Sequence, residues 1–558
     1  MKDPVELLRD AIEDERYVLS GYERPSEALT FETLRALDYA FCRVLIPELK
    51  DLNNSERQME SIRKYSINAA LKRVLPSELK ADAPRLFASN DKTAAQTDEF
   101  LWRMGCLTMA EKQLTLLRSG ALVGKIDERK IKGMTLLVLS IQDDTAYREQ
   151  VGFQGLNWLS ERTMADDRPR EAALELRHMQ VLPRLASYLR SNRSSEDPPF
   201  DDVDDYFHEW AILYLRRMSF RDMLADDDRF GTHAYSKYVA VLEALSAISQ
   251  QRLCEAGLLN AGDPGIGIRN LLTGGALHEE LIEGIANFLD ASRYEVSELL
   301  DHLTLSPQNA KNHLDRGTQV FAPVVRTSQQ LVALPMYGLE LNPFVFLWTE
   351  LRRRYEKDWF DAANRREVRW VAELRGQFSA PHWRCFDGVE LKRNGKIITD
   401  IDFAAYDASC NGIILFQLKW QQPLVGDDKV RRNNASSLVA DCNKWIADIM
   451  GWIEVVGVDG LKTRLSIKTD AALSSIHLVV LGRYHAHFTA AKGHDSRAIW
   501  CDWGNFLRQR ADQLNGSADE FAASLRKSVD QVTSEVEPES FFLPLGQVML
   551  LVNPKRIH

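Results

Sequence analysis

The sequence predicts a multidomain chain, with a mainly α-helical N-terminal region followed by a C-terminal α/β domain built on a mixed central sheet. Three observations carry this. At 558 residues the chain is longer than one hydrophobic core organises. As far as about residue 340, apolar side chains recur at three- and four-residue spacing, the mark of amphipathic helices. From Leu351 onward, short runs rich in β-branched and aromatic residues alternate with helical ones.

The helical region is clearest in EALTFETLRALDYAFCRVLIPELKDL, in ASNDKTAAQTDEFLWRMGCLTMAEKQLTLLRSG and in REAALELRHMQVLPRLASYLRS. Strand-like alternation is scarce there. The polar, acidic stretch SNRSSEDPPFDDVDDYF, residues 191–207, carries Pro198-Pro199 and reads as a linker or long loop. It divides a helical domain at 1–190 from a second at 208–345. NAGDPGIGIRNLLTGG, residues 260–275, has a glycine pair but no following GK[ST], so it reads as an interhelical turn rather than a phosphate loop. IANFLDASRYEVSELLDHLTLS, residues 285–306, reads as two short helices, too poor in basic residues for a DNA-reading pair.

The third unit, residues 346–558, opens with the Arg-rich helices of LRRRYEKDWFDAANRREVRWVAELRGQF. Three strands follow, HWRCFDGVELKRNGK, IITDIDFAAYD and GIILFQLKW, then a helix near ASSLVADCNKWIADIMGWIEVV. Another strand is SIHLVVLGRYHAHF; the tail holds a helix, GSADEFAASLRKSVDQVTSEV, and the apolar run SFFLPLGQVMLLV. A helix, a three-strand meander, a helix and a further strand make an α/β domain.

Bulk composition narrows the function classes. The chain is 45% hydrophobic and 27% charged, as in an ordinary globular protein. It has no run of about 18 apolar residues, so no membrane partner is expected. The start, MKDPVELLRDAIEDER, is acidic and lacks a signal-peptide pattern. The seven cysteines are dispersed without a CxxC pair, which fits reduced thiols in the cytoplasm and no structural zinc. The net charge of −10 argues against coating nucleic acid over the whole surface, yet residues 351–400 hold 12 basic against 8 acidic side chains.

The chemistry concentrates in ITDIDFAAYDASCNGIILFQLKW. Strand alternation puts Asp400 and Asp402 on one face, with Ile401 and Phe403 on the other. It likewise pairs Gln417 with Lys419, and Phe416 with Leu418. The short connection DASCNG makes the strands antiparallel neighbours, so Asp402 comes close to Gln417 and Lys419. Polar side chains in so apolar a strand pair need a reason. Phosphodiester hydrolysis supplies one: Asp402 as a hard ligand for Mg²⁺, with Mn²⁺ as a substitute, Gln417 as a neutral oxygen ligand, and Lys419 to orient the attacking water. Asp407 reads as a turn residue. Trp359, Trp370, Trp383 and Trp420 read as core residues. Lys392, Arg393, Lys396, Lys429, Arg431 and Arg432 cluster in loops beside this site and are candidate phosphate contacts.

Asp402 followed by Gln417-Leu418-Lys419, in this order of helix, meander, helix and strand, resembles the PD-(D/E)XK nuclease superfamily. The Gln is similar to the QxK form of Mrr-like nucleases. The resemblance spans residues 355–490 and implies a restriction-endonuclease-like domain that cleaves DNA, with RNA also a substrate class to test. It implies a helix glutamate at the metal, for which Glu367 in REVRWVAEL stands first, with Glu373 and Asp361 behind it, and an auxiliary acid at Asp400. A nuclease domain joined to a large helical module resembles prokaryotic defence effectors against phage or foreign DNA, acting as a homodimer or with a partner protein. The competing expectation is a nuclease-fold protein that binds nucleic acid or assembles complexes without cutting, because Gln417 removes an anionic ligand.

Overall fold

The computed structural model describes residues 3–22, 26–45, 54–81, 88–141, 145–191, 201–218, 220–263, 265–315, 321–420, 428–487, 493–531 and 540–553. The chain opens with five helices, α1 (Pro4–Ser20), α2 (Glu27–Leu45), α3 (Asn54–Tyr65), α4 (Ile67–Val74) and α5 (Asp91–Arg118), then the hairpin β1 (Leu122–Ile131) and β2 (Met134–Ile141). A long helix α6 (Thr145–Ser191) and α7 (Asp201–Arg216) lead to β3 (Arg229–Phe230), β4 (His233–Ala234), α8 (Tyr235–Gly262) and α9 (Arg269–Leu272). There follow β5 (Gly274–Leu277), α10 (His278–Phe288), α11 (Arg293–Asp301), β6 (Thr304–Leu305), α12 (Pro307–Leu314), β7 (Val324–Arg326), β8 (Leu331–Leu334), α13 (Met336–Glu340) and α14 (Phe344–Arg354). Among the described residues, no helix is long and apolar enough to cross a membrane.

The last third holds α15 (Glu356–Gly376), β9 (Trp383–Arg393), β10 (Lys396–Asp407), β11 (Gly412–Lys419), α16 (Asp428–Val456), α17 (Val458–Arg464), β12 (Ser475–Gly482), β13 (Ala498–Asp502), α18 (Trp503–Asp512), α19 (Ala518–Gln531), β14 (Phe541–Leu545) and β15 (Val548–Asn553). Five strands form a mixed sheet in the order β13-β12-β11-β10-β9. β9, β10 and β11 are antiparallel, whereas β12 and β13 run parallel to β11. The β9–β10 turn centres on Asn394 (φ 53°) and Gly395 (φ 77°), the left-handed pair that a two-residue hairpin turn demands. The parallel step from β11 to β12 needs a crossover, and α16 with α17 supplies it.

Each face of this sheet has its own core. Ile401, Tyr406, Ile413 and Leu415 pack against Cys442, Trp445, Ile446 and Ile449 of α16. Phe403, Ala405, Ile414 and Phe416 pack on the other face against Trp370 and Leu374 of α15, Phe506 of α18 and Phe521 of α19. Asp407 ends β10 in a buried turn, accepting from the Ser409 N–H (2.8 Å) and from the Ala518 N–H (2.9 Å) at the start of α19. Burial raises its pKa, but these bonds and those from the Ser409 hydroxyl and Cys410 outweigh burial and hold it below the usual carboxylate value.

Three features differ from the sequence reading. First, the N-terminal region carries more strand than its helical periodicity suggests. Its β1–β2 hairpin joins the chain's tail in one sheet, β1-β2-β15-β14, with β15 parallel to β2. Leu543, Leu545, Leu550 and Val552 of the tail enter the core formed by α1–α5, so these strands serve the N-terminal helices and not the C-terminal sheet. Second, residues 201–207 are helical, not linker; 192–200 lie outside the described residues. The acidic DDVDD run favours a helix start, where the backbone dipole is positive, and Val203, Tyr206 and Phe207 are buried at helical spacing. Third, the strand expected through residue 488 stops at Gly482, where a Cβ would lie 2.1 Å from the His485 carbonyl oxygen. That turn sends Arg483 and Tyr484 into the helical region.

Arg483 is 5% exposed. Its guanidinium donates to Asp222 (Nε, 2.9 Å) of the helical region and to Glu373 (Nη1, 2.6 Å) of α15. It stands over the rings of Trp420, Trp503 and Trp370, at 4.7, 5.2 and 5.8 Å from their centroids. Tyr484 donates its hydroxyl proton to the same Asp222 (3.1 Å). On the neighbouring turn of α15, Arg365 and Arg369 reach the fully buried Asp228 at 2.9 and 3.3 Å. The C-terminal sheet is therefore held to the helical region by α15 and the β12 end.

Replacing Arg483 with Ala removes a buried cation from two carboxylates and three ring faces, and should lower stability by about 3 kcal/mol, at the low end for a broken buried pair because Asp222 and Glu373 keep solvent contact. Urea unfolding of the full chain measures this. Leu550→Ala should cost about 3 kcal/mol as a core truncation. Hydrogen exchange should locate the loss in α1–α5 and leave α16 unaffected.

Candidate active site at the split of β10 and β11

β10 and β11 pair from Asp407–Gly412 to Phe403–Phe416, and there the ladder ends, although both strands continue. Beyond it, the backbone N–H of Leu418 no longer meets β10. The side chain of Asp402 takes it instead: Oδ2 accepts from Leu418 N at 2.6 Å and also from the Gln417 side-chain amide. Gln417 is 8% exposed, and Asp402 is partly buried. A partly buried carboxylate thus takes over from β10 as the partner of the Leu418 N–H.

The strand phase changes at this point. Period-two alternation predicts Ile401 and Phe403 on one face, yet Ile401 lies in the α16-side core and Phe403 in the α15-side core. The cause sits in the neighbouring strand. Asp387 pairs with Phe403 and Val389 with Ile401, leaving Gly388 opposite Asp402. Gly388 has φ 57°, a left-handed value favouring glycine, and such a residue twists the ladder as bulges do.

The polar groups gather on the α16 side. Burial pushes the fully buried Cys442 thiol of α16 up to about 11, Lys419 draws it down, and Asp441 and Asp402 push it up. Cys442 therefore feels both Lys419 and Asp402. Trp445, one turn further along α16, donates its indole N–H to the Asp400 backbone carbonyl (2.7 Å) and pins that stretch of β10. Burial, above all, raises the Asp402 pKa to about 6; the Leu418 N–H opposes this, Asp400 adds to it, and Lys419 and Gln417 oppose it.

Asp402, Gln417 and Lys419 are thus brought together, with Asp400 close enough to act on Asp402. Glu367 is not among them. It is exposed on α15, which packs on the opposite face of the sheet, and among the described residues no hydrogen bond or ion pair joins it to the other three. Glu373 is engaged with Arg483, and Asp361 is exposed. Arg393 and Lys396 flank the exposed β9–β10 turn, six residues or more from Asp402 and so roughly 20 Å along the strand. Lys392 pairs with Glu390 at 2.6 Å. The side chains of Lys429, Arg431 and Arg432 lie outside the described residues. Cys442 and Trp445 were not marked by the sequence; their only signal is their place on the apolar stripe Ala435, Leu438, Cys442, Trp445, Ile449.

Two oxygens of this cluster are free to take a ligand. Among the described residues, nothing donates to Asp402 Oδ1 or to Gln417 Oε1, which leaves a carboxylate oxygen and an amide oxygen, with Asp400 nearby. Mg²⁺ takes few protein oxygens and keeps its waters. No group of three or more His, Cys, Asp or Glu side chains stands ready for a metal ion among the described residues. Comparisons with protein-family models, curated proteins and solved structures give no match for this chain.

The raised pKa of Asp402 fixes the sign of a pH effect. A carboxyl raised above its unfolded value of about 4 stabilises the fold below that value, and its contribution is lost as pH rises through about 6. Urea unfolding across pH 4 to 7 should show this decline in the wild type without added metal, and a smaller decline in Asp402→Asn.

Proposed function

We propose that this chain is a metal-dependent nuclease of the PD-(D/E)XK type that hydrolyses phosphodiester bonds in DNA. The observation that carries the reading is the Asp402 carboxylate seated in the β10–β11 split, bonded to Gln417 and in the field of Lys419. The sheet order and its two helical layers agree with the restriction-endonuclease-like fold that the D…QxK pattern implies.

A dication held by Asp402 and Gln417 would polarise the scissile phosphate and lower the pKa of water. The chain's own residues do the rest. The Lys419 ammonium lies on the same face, where it steadies the attacking water and offsets charge on the phosphate oxygens. Water oxygen bonds to phosphorus, the bond to the leaving oxygen breaks, and one proton passes from the water to the leaving group by way of solvent. Asp400 adds negative charge that favours cation binding. In this reading the helical region regulates cutting through the Arg483–Asp222 junction, and the biological setting is prokaryotic defence.

A second reading has its own support. Gln417 is neutral where a carboxylate would bind metal more strongly, and Glu367 has no described link to the site. A nuclease-fold protein that binds nucleic acid without cutting would have those features.

The two readings part in one experiment. With Mg²⁺ or Mn²⁺, the intact protein should nick or linearise plasmid DNA, and EDTA should stop it. Asp402→Ala and Lys419→Ala should each lower cleavage by about 100-fold or more without loss of folding. If neither DNA nor RNA is cut but duplex binding is retained, the second reading stands. Cleavage that persists in both variants would put the reacting centre elsewhere.

A further inference from the structure

A cavity of about 610 Å³ opens in the helical region, far from the β10–β11 split in sequence. Its size is that of sites for ligands as large as a nucleotide. Its walls are polar except for Leu79. Arg326 of β7, Arg353 and Arg354 of α14, Gln308 and Ser306 at the start of α12, and Asp301 at the end of α11 all line it.

The three guanidiniums are not equivalent. Arg353 donates twice to Glu350, at 3.0 and 2.7 Å, and Arg354 joins Glu350 (3.0 Å) to Asp301 (2.7 Å). Glu350 is fully buried. Burial alone would raise its pKa, but His313 and Arg353 outweigh burial and hold it well below the usual carboxylate value. These pairs fix Arg353 and Arg354 as a rigid wall. Arg326 pairs with no carboxylate among the described residues. Its Nη2 contacts the His278 ring (3.2 Å) and the Gln329 carbonyl oxygen (3.1 Å), and its buried Nε has no partner. Arg326 lines the cavity beside Arg353 and Arg354 with no carboxylate among the described residues to balance it, and three guanidiniums on one lining are an arrangement that receives phosphate oxygens.

We propose that this cavity binds a small phosphorylated anion of nucleotide size, with Arg326 as the main phosphate contact and Arg353 and Arg354 as the wall behind it. The volume suits a small molecule rather than a continuous nucleic-acid strand. The lining is mostly polar, with Leu79 its one aliphatic side chain, which gives a lipid or peptide little on which to bury hydrophobic groups. The proposal does not depend on the nuclease reading, because the two sites share no residue.

Isothermal titration of the full-length protein in EDTA tests it, with inorganic pyrophosphate, AMP and ATP as probes. Saturable one-to-one binding is expected for pyrophosphate and ATP. ATP binding tighter than pyrophosphate makes the ligand a nucleotide, and equal binding makes it an inorganic polyphosphate. Arg326→Gln should weaken binding at least tenfold. Gln308→Trp, which fills the cavity and breaks no ion pair, should do the same, so the test survives if the first variant folds poorly. No binding by the wild type at millimolar probe overturns the proposal, as does unchanged binding in a folded variant.

Discussion

The candidate site depends on one exchange of hydrogen-bond partners. Past Phe403–Phe416, β11 needs something to satisfy the Leu418 N–H, and the Asp402 carboxylate does so at 2.6 Å. A backbone carbonyl would have continued the sheet. A side chain instead ends the ladder and places a carboxyl group between the strands. The same bond holds the carboxylate in place, lowers the desolvation cost of its ionised form, and sets Gln417 against it. Gly388 makes the geometry possible, since a left-handed residue in β9 lets both strands change phase together. A sheet with unbroken alternation would have turned Ile401 to the other side and left the α16 core one residue short.

A second constraint links this sheet to the rest of the chain. The turn at Gly482 drives Arg483 into a space bounded by three tryptophans and two carboxylates from different parts of the molecule. A buried guanidinium is costly unless its charge is balanced, and the balance here comes from Asp222 on one side of the junction and Glu373 on the other. Arg483 directly follows β12, the parallel neighbour of β11, so the junction abuts the strand beside the candidate site. The tail adds a topological tie, since β14 and β15 return to the N-terminal sheet after the C-terminal sheet is complete.

How much of this was legible in the sequence follows from the range of each interaction. The Asn394-Gly395 turn and the alternating runs on either side specify β9 and β10 through contacts a few residues apart, and the short DASCNG connection brings Asp402 to Gln417. The phase change at Asp402 was not legible, because it requires knowing that Gly388 lies opposite. The pairing of β15 with β2 joins residues some four hundred positions apart, and no local pattern encodes it. Arg483 looks like a charge at a strand's end until the fold surrounds it. The acidic run at 201–205 read as a loop because its composition resembles one, although Val203, Tyr206 and Phe207 already carried a helical period.

The electrostatics of the β10–β11 split bear on what the Asp402 carboxyl does there. A buried carboxylate with a pKa raised to about 6 costs the fold stability at neutral pH, and Asp400 increases the cost. A purely structural role would be served as well by asparagine, which offers an oxygen to the Leu418 N–H without charge. The amide of Gln417 points its NH₂ at Asp402, the orientation that donates to a carboxylate. Rotation of that amide by half a turn would place its oxygen beside the carboxylate, an arrangement that only a cation makes favourable. In the proposed reading, a bound cation would favour both the ionised form of Asp402 and the turned amide of Gln417. Charge kept at such a cost fits the proposed cation site, and that argument does not depend on whether a phosphodiester is cleaved there.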